Sequence, residues 1–293
     1  MNSRLITAAI ALPVLIASVI FPPLQILFVV LAAAAIVVAL YEFWFLAKRV
    51  GAKPDVVVGY SAVAALFVVF FFGWWDLLYL VVPMFVVAAL AAEMLRGAPF
   101  DKMILSAGST VLGVFYVAFL GAHLIAVRTG FQAVLVGPQA FLAGEAYLSH
   151  TLSTHLLAYF FLVLMGSDTG AYYTGRAFGK HKLAPNVSPG KTWEGAAGGM
   201  AASLAAAALA HYWFFPEIGL GAALALAAVM NVLGVVGDLT ESALKRGAKA
   251  KDAAQILPGH GGLLDRLDSL LFNAPLLYYF ALNYWHFALN YGR

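Results

Sequence analysis

A charged segment near the C-terminus carries the residues best suited to chemistry. Residues 242–268 interrupt an otherwise apolar sequence with carboxylates and cationic side chains: Asp252, Asp265, Asp268, Lys245, Arg246, Lys249, Lys251 and Arg266. Charge beside a lipid bilayer is costly, so it usually marks function. Carboxylate oxygens bind hard cations, and Lys and Arg bind phosphate oxygens. The mixture therefore indicates a metal-assisted reaction on phosphates.

Two of these carboxylates open the last predicted helix. Asp265 and Asp268 have i,i+3 spacing, which places them on one face of the helix. They follow a glycine-rich turn, residues 258–262, and the positive end of the helix dipole favours acids there. Capping of the helix explains one acid, whereas metal binding explains both. His260 in the turn is a candidate acid, a candidate phosphate donor or a loop hydrogen-bonding residue.

A polar stripe runs along the preceding predicted helix. Asp238, Glu241, Ser242 and Lys245 are spaced i, i+3, i+4 and i+7, so they share one face. A stripe of this kind must face protein or water and not lipid. Glu241 and Lys245 could form a simple ion pair, but that reading does not explain the deeper Asp238. Together with Asp265 and Asp268, Asp238 would supply part of a Mg²⁺ coordination shell.

A third group lies upstream, in residues 167–195. Asp168 sits near the inner end of a hydrophobic segment and is followed by a glycine-rich, basic loop. Glycines let backbone amides approach an anion, and Lys, Ser and Thr supply further donors. A helix predicted to begin after this loop would favour phosphate at its N-terminus. Alternatively, the loop is only a topology determinant, and Asp168 caps its helix or pairs with Arg176.

The composition decides which elements position these groups. The chain is 63% hydrophobic and 11% charged, with a mean hydropathy of +0.90, which predicts an all-α polytopic integral membrane protein. The absence of Cys excludes disulfides and thiol chemistry. The first hydrophobic segment resembles a signal peptide, but Phe21-Pro22-Pro23 is a poor cleavage site. We therefore predict about nine transmembrane helices: 5–21, 24–47, 56–73, 77–95, 104–127, 152–174, 193–212, 217–246 and 263–290.

The positive-inside rule orients these segments. A cytoplasmic N-terminus and an external C-terminus place every Lys and Arg except Arg128 and Arg293 in cytoplasmic loops. We divide the chain into 1–150, with about five helices and an external loop, and 151–293, with about four helices and the chemistry, in one structural unit. Glu42 and Glu93 lie near cytoplasmic helix ends, where we expect local pairing with Lys48 and Arg96.

The charged motifs resemble a known family. The C-terminal motifs are Ser242-Ala-Leu-Lys245-Arg246, Lys251-Asp252, Leu257-Pro258-Gly259-His260-Gly261-Gly262 and Asp265-Arg266-Leu267-Asp268. The upstream motifs are Asp168-Thr-Gly-Ala-Tyr, Gly175-Arg176-Ala-Phe-Gly179-Lys180, 188–195 and 237–242. This pattern is similar to that of the bacterial phosphatidate cytidylyltransferases. The matching motifs lie within about residues 165–270. The length of the chain and its predicted number of helices are also similar to those of the family.

The resemblance implies a reaction and its setting. CTP and phosphatidic acid would give CDP-diacylglycerol and pyrophosphate, with Mg²⁺ and with K⁺ as a candidate second ion. A homodimer in the bacterial cytoplasmic (inner) membrane, with its active site facing the cytoplasm and contacting membrane lipid, is implied as well. We expect no nucleic acid partner.

The resemblance also implies roles for individual residues, through their positions in the shared motifs. The predicted metal ligands are Asp238, Asp265 and Asp268, and the predicted catalytic residues are these three with Lys245 and His260. The predicted substrate-binding residues are Asp168, Arg176, Lys180, Ser188, Lys191, Thr192, Glu241, Ser242, Arg246, Lys251, Asp252, Gly261, Gly262 and Arg266.

Three other classes of protein explain the sequence less well. A transporter of anionic solutes would be expected to show repeated halves with broken helices, whereas polarity here is confined to the C-terminal half. A CDP-alcohol phosphotransferase needs a pattern that begins with Asp-Gly, and the chain has no Asp-Gly pair. A structural scaffold would not need the charged stripe.

Overall fold

A computed structural model of the chain describes residues 12–97, 100–129, 146–253 and 261–291. Helices dominate these residues. They are α1 (12–20), α2 (Gln25–Arg49), α3 (Val56–Phe72), α4 (Leu78–Leu95), α5 (Met103–Thr129), α6 (Ala146–Phe178), α7 (Trp193–Trp213), α8 (Leu220–Gly247) and α9 (Leu264–Tyr291). Short 3₁₀ helices, Pro22–Leu24 and Trp75–Leu77, precede α2 and α4, and α5 contains a π-helical segment, Val114–Phe119.

The helices make this a multi-pass membrane protein. Within the described residues, four helices are long and apolar enough to cross a bilayer: Gln25–Arg49, Trp75–Leu95, Met103–Thr129 and Leu220–Gly247. The apolar helix Val56–Phe72 is shorter. Each predicted hydrophobic segment overlaps one of the helices α1 to α9, so the expectation of an all-α membrane protein is confirmed at that level.

The basic loop between α6 and α7 contains a β-hairpin, which the sequence analysis did not predict. Strands β1 (Lys182–Ala184) and β2 (Ser188–Thr192) are antiparallel, with Lys182 opposite Thr192 and Ala184 opposite Ser188. Strands this short, with Pro185 and Pro189 beside and inside them, give no alternating pattern in the sequence. The hairpin places Lys191 on a strand that leads directly into α7.

The chain divides into two compact units, and the division near residue 150 stays a prediction. The first unit comprises residues 1–134 and 244–267, and the second comprises residues 135–243 and 268–293. Helices α8 and α9 each contribute residues to both units. The first unit therefore holds α1 to α5, and the second holds α6, the hairpin and α7.

A polar network joins the helix ends of the first unit. Arg96 donates to the backbone oxygen of Lys53 at 2.7 Å and to the Asp55 carboxylate at 2.9 Å, and it pairs with Glu93. Asp55 also caps α3 by accepting the Val58 N–H at 2.9 Å. The expected pairing of Glu93 with Arg96 is thereby confirmed, and one guanidinium connects the α2–α3 turn to the end of α4.

Small residues let α6 and α7 approach closely in the second unit. A Cβ atom added at Gly170 would lie 2.5 Å from Ala202 Cβ and 2.7 Å from the Gly198 backbone oxygen. A Cβ added at Gly198 would clash with the side chain of Thr174. Membrane helices commonly pack through small residues in this way. The contact fixes α6, which carries Asp168, against α7.

This packing predicts the effect of a single methyl group. Gly170→Ala should lower the apparent Tm of the detergent-solubilised protein, because overpacking of this kind costs typically about 1–3 kcal/mol. Gly221→Ala is the matched control, since a Cβ at that helical glycine meets nothing within 4 Å and alanine is the better helix former. Equal Tm values for the two variants would contradict the close α6–α7 contact.

Candidate active site

The second unit contains a cavity of about 410 Å³. Residues of α6, the hairpin, the start of α7 and the middle of α8 form its walls. The lining residues are Ser167, Asp168, Ala171, Tyr172, Gly175, Arg176, Leu183, Gly190, Lys191, Thr192, Gly195, Ala196, Gly234, Val235 and Asp238. The cavity thus combines charged groups with an apolar wall, which suits a ligand that carries both.

Local structure explains how these side chains reach the cavity. Thr192 is the N-cap of α7, and its Oγ1 accepts the Gly195 N–H at 3.1 Å. This cap fixes the junction between β2 and α7, where Lys191 projects. A sequence-predicted ligand-binding residue, Thr192, therefore has a capping role in addition to lining the cavity.

Lys191 and Asp238 form the central ion pair of the cavity. Lys191 Nζ lies 2.5 Å from Asp238 Oδ2, and Ser242 Oγ donates to Asp238 Oδ1 at 3.4 Å. Asp168 and Asp268 lie close enough for their charges to interact with Asp238 and with Lys191. One ammonium group is thus shared among several carboxylates, and the second unit holds an acidic cluster that attracts further positive charge.

A glycine on α8 allows Asp268 to approach this cluster. A Cβ added at Gly237 would lie only 2.5 Å from the backbone oxygen of Asp268. The side chain of Asp268 accepts the Ser269 N–H at 2.6 Å through Oδ1. The absence of a side chain at position 237 therefore lets the backbone of Asp268 lie against α8, next to Asp238.

The turn between α6 and β1 is held by an acid at the start of α7. Glu194 accepts the backbone N–H groups of Lys180 and His181, each at 3.2 Å, and its other oxygen contacts His181 Nδ1 at 2.6 Å. Arg176 donates to the Tyr172 hydroxyl at 3.2 Å. Both Arg176 and Lys180 are exposed, so their charged ends are accessible to an anion.

The first unit holds a second charged group. Lys245 Nζ lies 2.7 Å from Asp265 Oδ1, and both side chains are largely buried. The other carboxylate oxygen of Asp265 accepts the N–H groups of Gly262 at 2.9 Å and of Ala253 at 3.3 Å. Gly261, with φ +77°, adopts the left-handed conformation that favours glycine. Asp265 thereby organises the turn before α9 and holds Lys245.

The acidic cluster of the second unit offers oxygen donors for a divalent metal ion. Within the described ranges no group of three or more His, Cys, Asp or Glu side chains is arranged as a metal site. Asp168, Asp238 and Asp268 nevertheless offer hard oxygen atoms of the kind that Mg²⁺ prefers. The Lys191 ammonium lies against Asp238, so a positive charge is already accommodated there. The three carboxylates are therefore chemically suited to a magnesium ion.

The predicted site residues fall into several groups. Those that line the cavity are Asp168, Arg176, Lys191, Thr192 and Asp238. Other second-unit residues do not line it: Ser188 lies in β2, Lys180 is exposed and Glu241 is buried on α8. In the first unit, Arg246, Lys251, Asp252 and Arg266 are exposed. His260 lies outside the described residues.

The cavity is also lined by residues that the sequence placed in motifs but not among the predicted site residues. Ala171, Tyr172 and Gly175 line the cavity beside Asp168 on α6; helical spacing from Asp168 could have suggested them. The expected local pairing of Glu42 with Lys48 is replaced by a distant contact: Glu42 is fully buried and accepts the Leu264 N–H at 2.7 Å. A carboxylate within an apolar helix was the available signal.

The fold and the cavity define a multi-pass membrane protein with an internal site of mixed charge suited to phosphate groups. Residues 2–284 match the family model described as Cytidylyltransferase family, and the chain belongs to that family. It is 46% identical over 129 residues to a phosphatidate cytidylyltransferase of Haemophilus influenzae, covering 43% of this chain and 45% of the relative. It is 43% identical over 131 residues to a phosphatidate cytidylyltransferase of Staphylococcus haemolyticus, covering 45% of this chain and 50% of the relative. The match thus spans about half the length of these relatives.

Proposed function

We propose that this protein transfers the cytidylyl group of CTP to phosphatidic acid, giving CDP-diacylglycerol and pyrophosphate for phospholipid biosynthesis. The observation that carries the proposal is the cavity in which Lys191 and Asp238 pair beside Asp168 and an apolar wall. Membership of the cytidylyltransferase family and the names of the relatives support this substrate pair.

The reaction needs positioning of anions more than it needs a protein nucleophile. An oxygen of the lipid phosphate forms a new bond to the α-phosphorus of CTP, and the bond from that phosphorus to the α,β-bridging oxygen breaks. The electron pair of the broken bond leaves with pyrophosphate. Because both substrates are anions, catalysis depends on holding them in line and stabilising charge in the transition state.

The chain supplies cationic groups for this task. Lys191 and Arg176 line the cavity and would bind phosphate oxygens. Lys245, Arg246 and Arg266 are further candidates for the same role. Asp168, Asp238 and Asp268, whose charges interact in the second unit, would supply oxygen ligands for Mg²⁺, and the bound ion would neutralise charge at phosphate oxygens. Asp265 stays a ligand predicted from the sequence alone. K⁺ remains a candidate second ion.

A product assay tests the proposal. Protein reconstituted with phosphatidic acid, Mg²⁺ and CTP labelled at the α-phosphate should convert the label into an organic-extractable lipid, with an equal amount of pyrophosphate released. Omission of phosphatidic acid is the control and should leave the label water-soluble. Uptake of CTP into the vesicles without any lipid-soluble cytidine product would favour a transporter and reject the enzyme.

The site is further proposed to face the cytoplasm of a bacterial inner membrane. The distribution of Lys and Arg supports nine membrane crossings with the N-terminus inside and the C-terminus outside. The substrate CTP is a cytoplasmic nucleotide, which agrees with this orientation. A homodimer in contact with membrane lipid is the proposed assembly.

Single cysteines can test the orientation, since the chain has no Cys of its own. Lys180→Cys and Lys251→Cys replace exposed residues that should resist an impermeant thiol reagent added to intact cells. Asp76→Cys, also at an exposed position and predicted to be external, is the positive control and should react. Labelling of the first two positions from outside would reject the proposed orientation.

A further inference from the structure

We propose that Glu42 is a positioning residue for the charged turn that holds Lys245 and Asp265. The inference rests on the proposed function, because Lys245 is taken there as a phosphate-binding residue. Glu42 belongs to the N-terminal part of the chain, in which the sequence analysis placed no chemistry. The contacts that carry the inference all lie within the first unit.

Glu42 makes an unusual contact for a charged residue of an apolar helix. It lies within α2, is fully buried, and its Oε2 accepts the backbone N–H of Leu264 at 2.7 Å, a residue 222 positions later in the chain. Burial of a carboxylate is costly unless the group is hydrogen-bonded. The contact therefore makes α2 a fixed support for the first residue of α9.

The same carboxylate closes the turn before α9 from one side. A Cβ added at Gly262 would lie 2.8 Å from Glu42 Oε2 and 3.1 Å from Asp265 Oδ2. Gly262 is thus enclosed between two acids, of which Asp265 accepts the Gly262 N–H and Glu42 accepts the Leu264 N–H. The first N–H groups of a helix lack intrahelical acceptors. Glu42 provides an acceptor for the first of them, that of Leu264, and Asp265 provides one for Gly262 in the preceding turn.

The contact between Glu42 and this turn also affects the position of Lys245. Asp265 accepts Lys245 Nζ at 2.7 Å through the oxygen that does not contact the turn. The orientation of that carboxylate depends on the backbone at 262–264, which Glu42 holds. Loss of the Glu42 acceptor should therefore displace Asp265 and, through it, the ammonium group of Lys245. Glu42 would act on substrate only through these residues.

Glutamine and methionine are both neutral and close to glutamate in length. Comparing them at position 42 separates the effect of losing the hydrogen-bond acceptor from the effect of losing the charge. Glu42→Gln keeps an oxygen that can accept the Leu264 N–H, so kcat should stay within about threefold of wild type. Glu42→Met fills similar volume without an equivalent acceptor, and kcat should fall by at least about tenfold, equivalent to about 1.4 kcal/mol. Glu42→Asp keeps the charge but is one methylene shorter, and it should behave like the methionine variant.

A second measurement reads the position of the turn directly. Amide hydrogen exchange of the peptide that contains 261–267 should quicken in Glu42→Met and Glu42→Asp, and stay slow in Glu42→Gln. Glu93→Gln is the matched control, because Glu93 is a buried acid of the same unit that pairs with Arg96. It should leave both kcat and the exchange of this peptide near wild type.

The outcomes are distinct. The proposal is wrong if Glu42→Gln loses as much kcat as Glu42→Met, or if Glu42→Asp matches wild type, because charge or packing alone would then account for Glu42. If wild-type protein makes no lipid-soluble cytidine product, the proposed function fails first. The exchange comparison still decides whether Glu42 holds the turn.

Discussion

Asp238→Asn should lower kcat/KM for CTP by at least about 1,000-fold in protein that remains folded, a loss of about 4 kcal/mol in transition-state stabilisation. Asp238 lines the cavity and contacts Lys191, and its charge interacts with those of Asp168 and Asp268. An amide is nearly the same size but carries no negative charge. It should therefore hold neither a cation nor the Lys191 ammonium in place.

Asp265→Asn and Asp268→Asn should abolish turnover as well. Asp265 binds Lys245 and two backbone N–H groups, and Asp268 belongs to the acidic cluster of the second unit. If these acids hold Mg²⁺, any residual activity should require a higher Mg²⁺ concentration than wild type. Steady-state rates measured over a Mg²⁺ titration, together with the apparent Tm, would test this point.

The control for these acids is Asp101→Asn, an exposed carboxylate in the α4–α5 connection that belongs to neither charged cluster. Its kinetics should equal those of wild type. Near-normal activity in Asp238→Asn, Asp265→Asn and Asp268→Asn would show that the three acids have a structural role only, and it would remove the basis of the magnesium proposal.

Lys191→Ala should lower kcat/KM for both substrates by at least about 100-fold, or about 2.7 kcal/mol. The residue has two roles in the structure: it can bind a phosphate oxygen in the cavity, and it offsets the repulsion among Asp168, Asp238 and Asp268. Its removal leaves a cluster of acids that repels two anionic substrates.

Lys245→Ala and Arg246→Ala should also reduce kcat/KM. Arg246→Lys should be impaired as well if the guanidinium group makes a bidentate contact with a phosphate, because lysine cannot replace that contact.

The competing explanation is that these cations only anchor loops at an anionic membrane surface, where each contributes about 1 kcal/mol. Lys182→Ala separates the two explanations, because Lys182 lies on the same hairpin as Lys191, is exposed and does not line the cavity. Loss of activity in Lys191→Ala but not in Lys182→Ala supports phosphate binding. Wild-type kinetics in correctly inserted Lys191→Ala, Lys245→Ala and Arg246→Ala protein would leave topology as their only role.

Local patterns in the sequence determined the class of fold and most of the charged residues. Long apolar runs must form helices in a bilayer, because no water is available there to satisfy an open backbone; the predicted segment 193–212, for example, became the helix Trp193–Trp213. Asp168 and Asp238 were selected because charge within an apolar helix is costly and usually marks function, and Lys191 because a glycine-rich, basic loop before a helix suits an anion. All three line one cavity.

Only the tertiary structure decided which of these residues meet. The pairing of Lys191 with Asp238 depends on a hairpin whose strands are too short to give a periodic pattern, and the approach of Asp268 depends on the space left at Gly237. Glu42 was assigned a nearby partner from its position in the chain, yet it binds Leu264, 222 residues away. Spacing in a sequence predicts neighbours on one helix face, whereas contacts between elements depend on how closely their backbones pack.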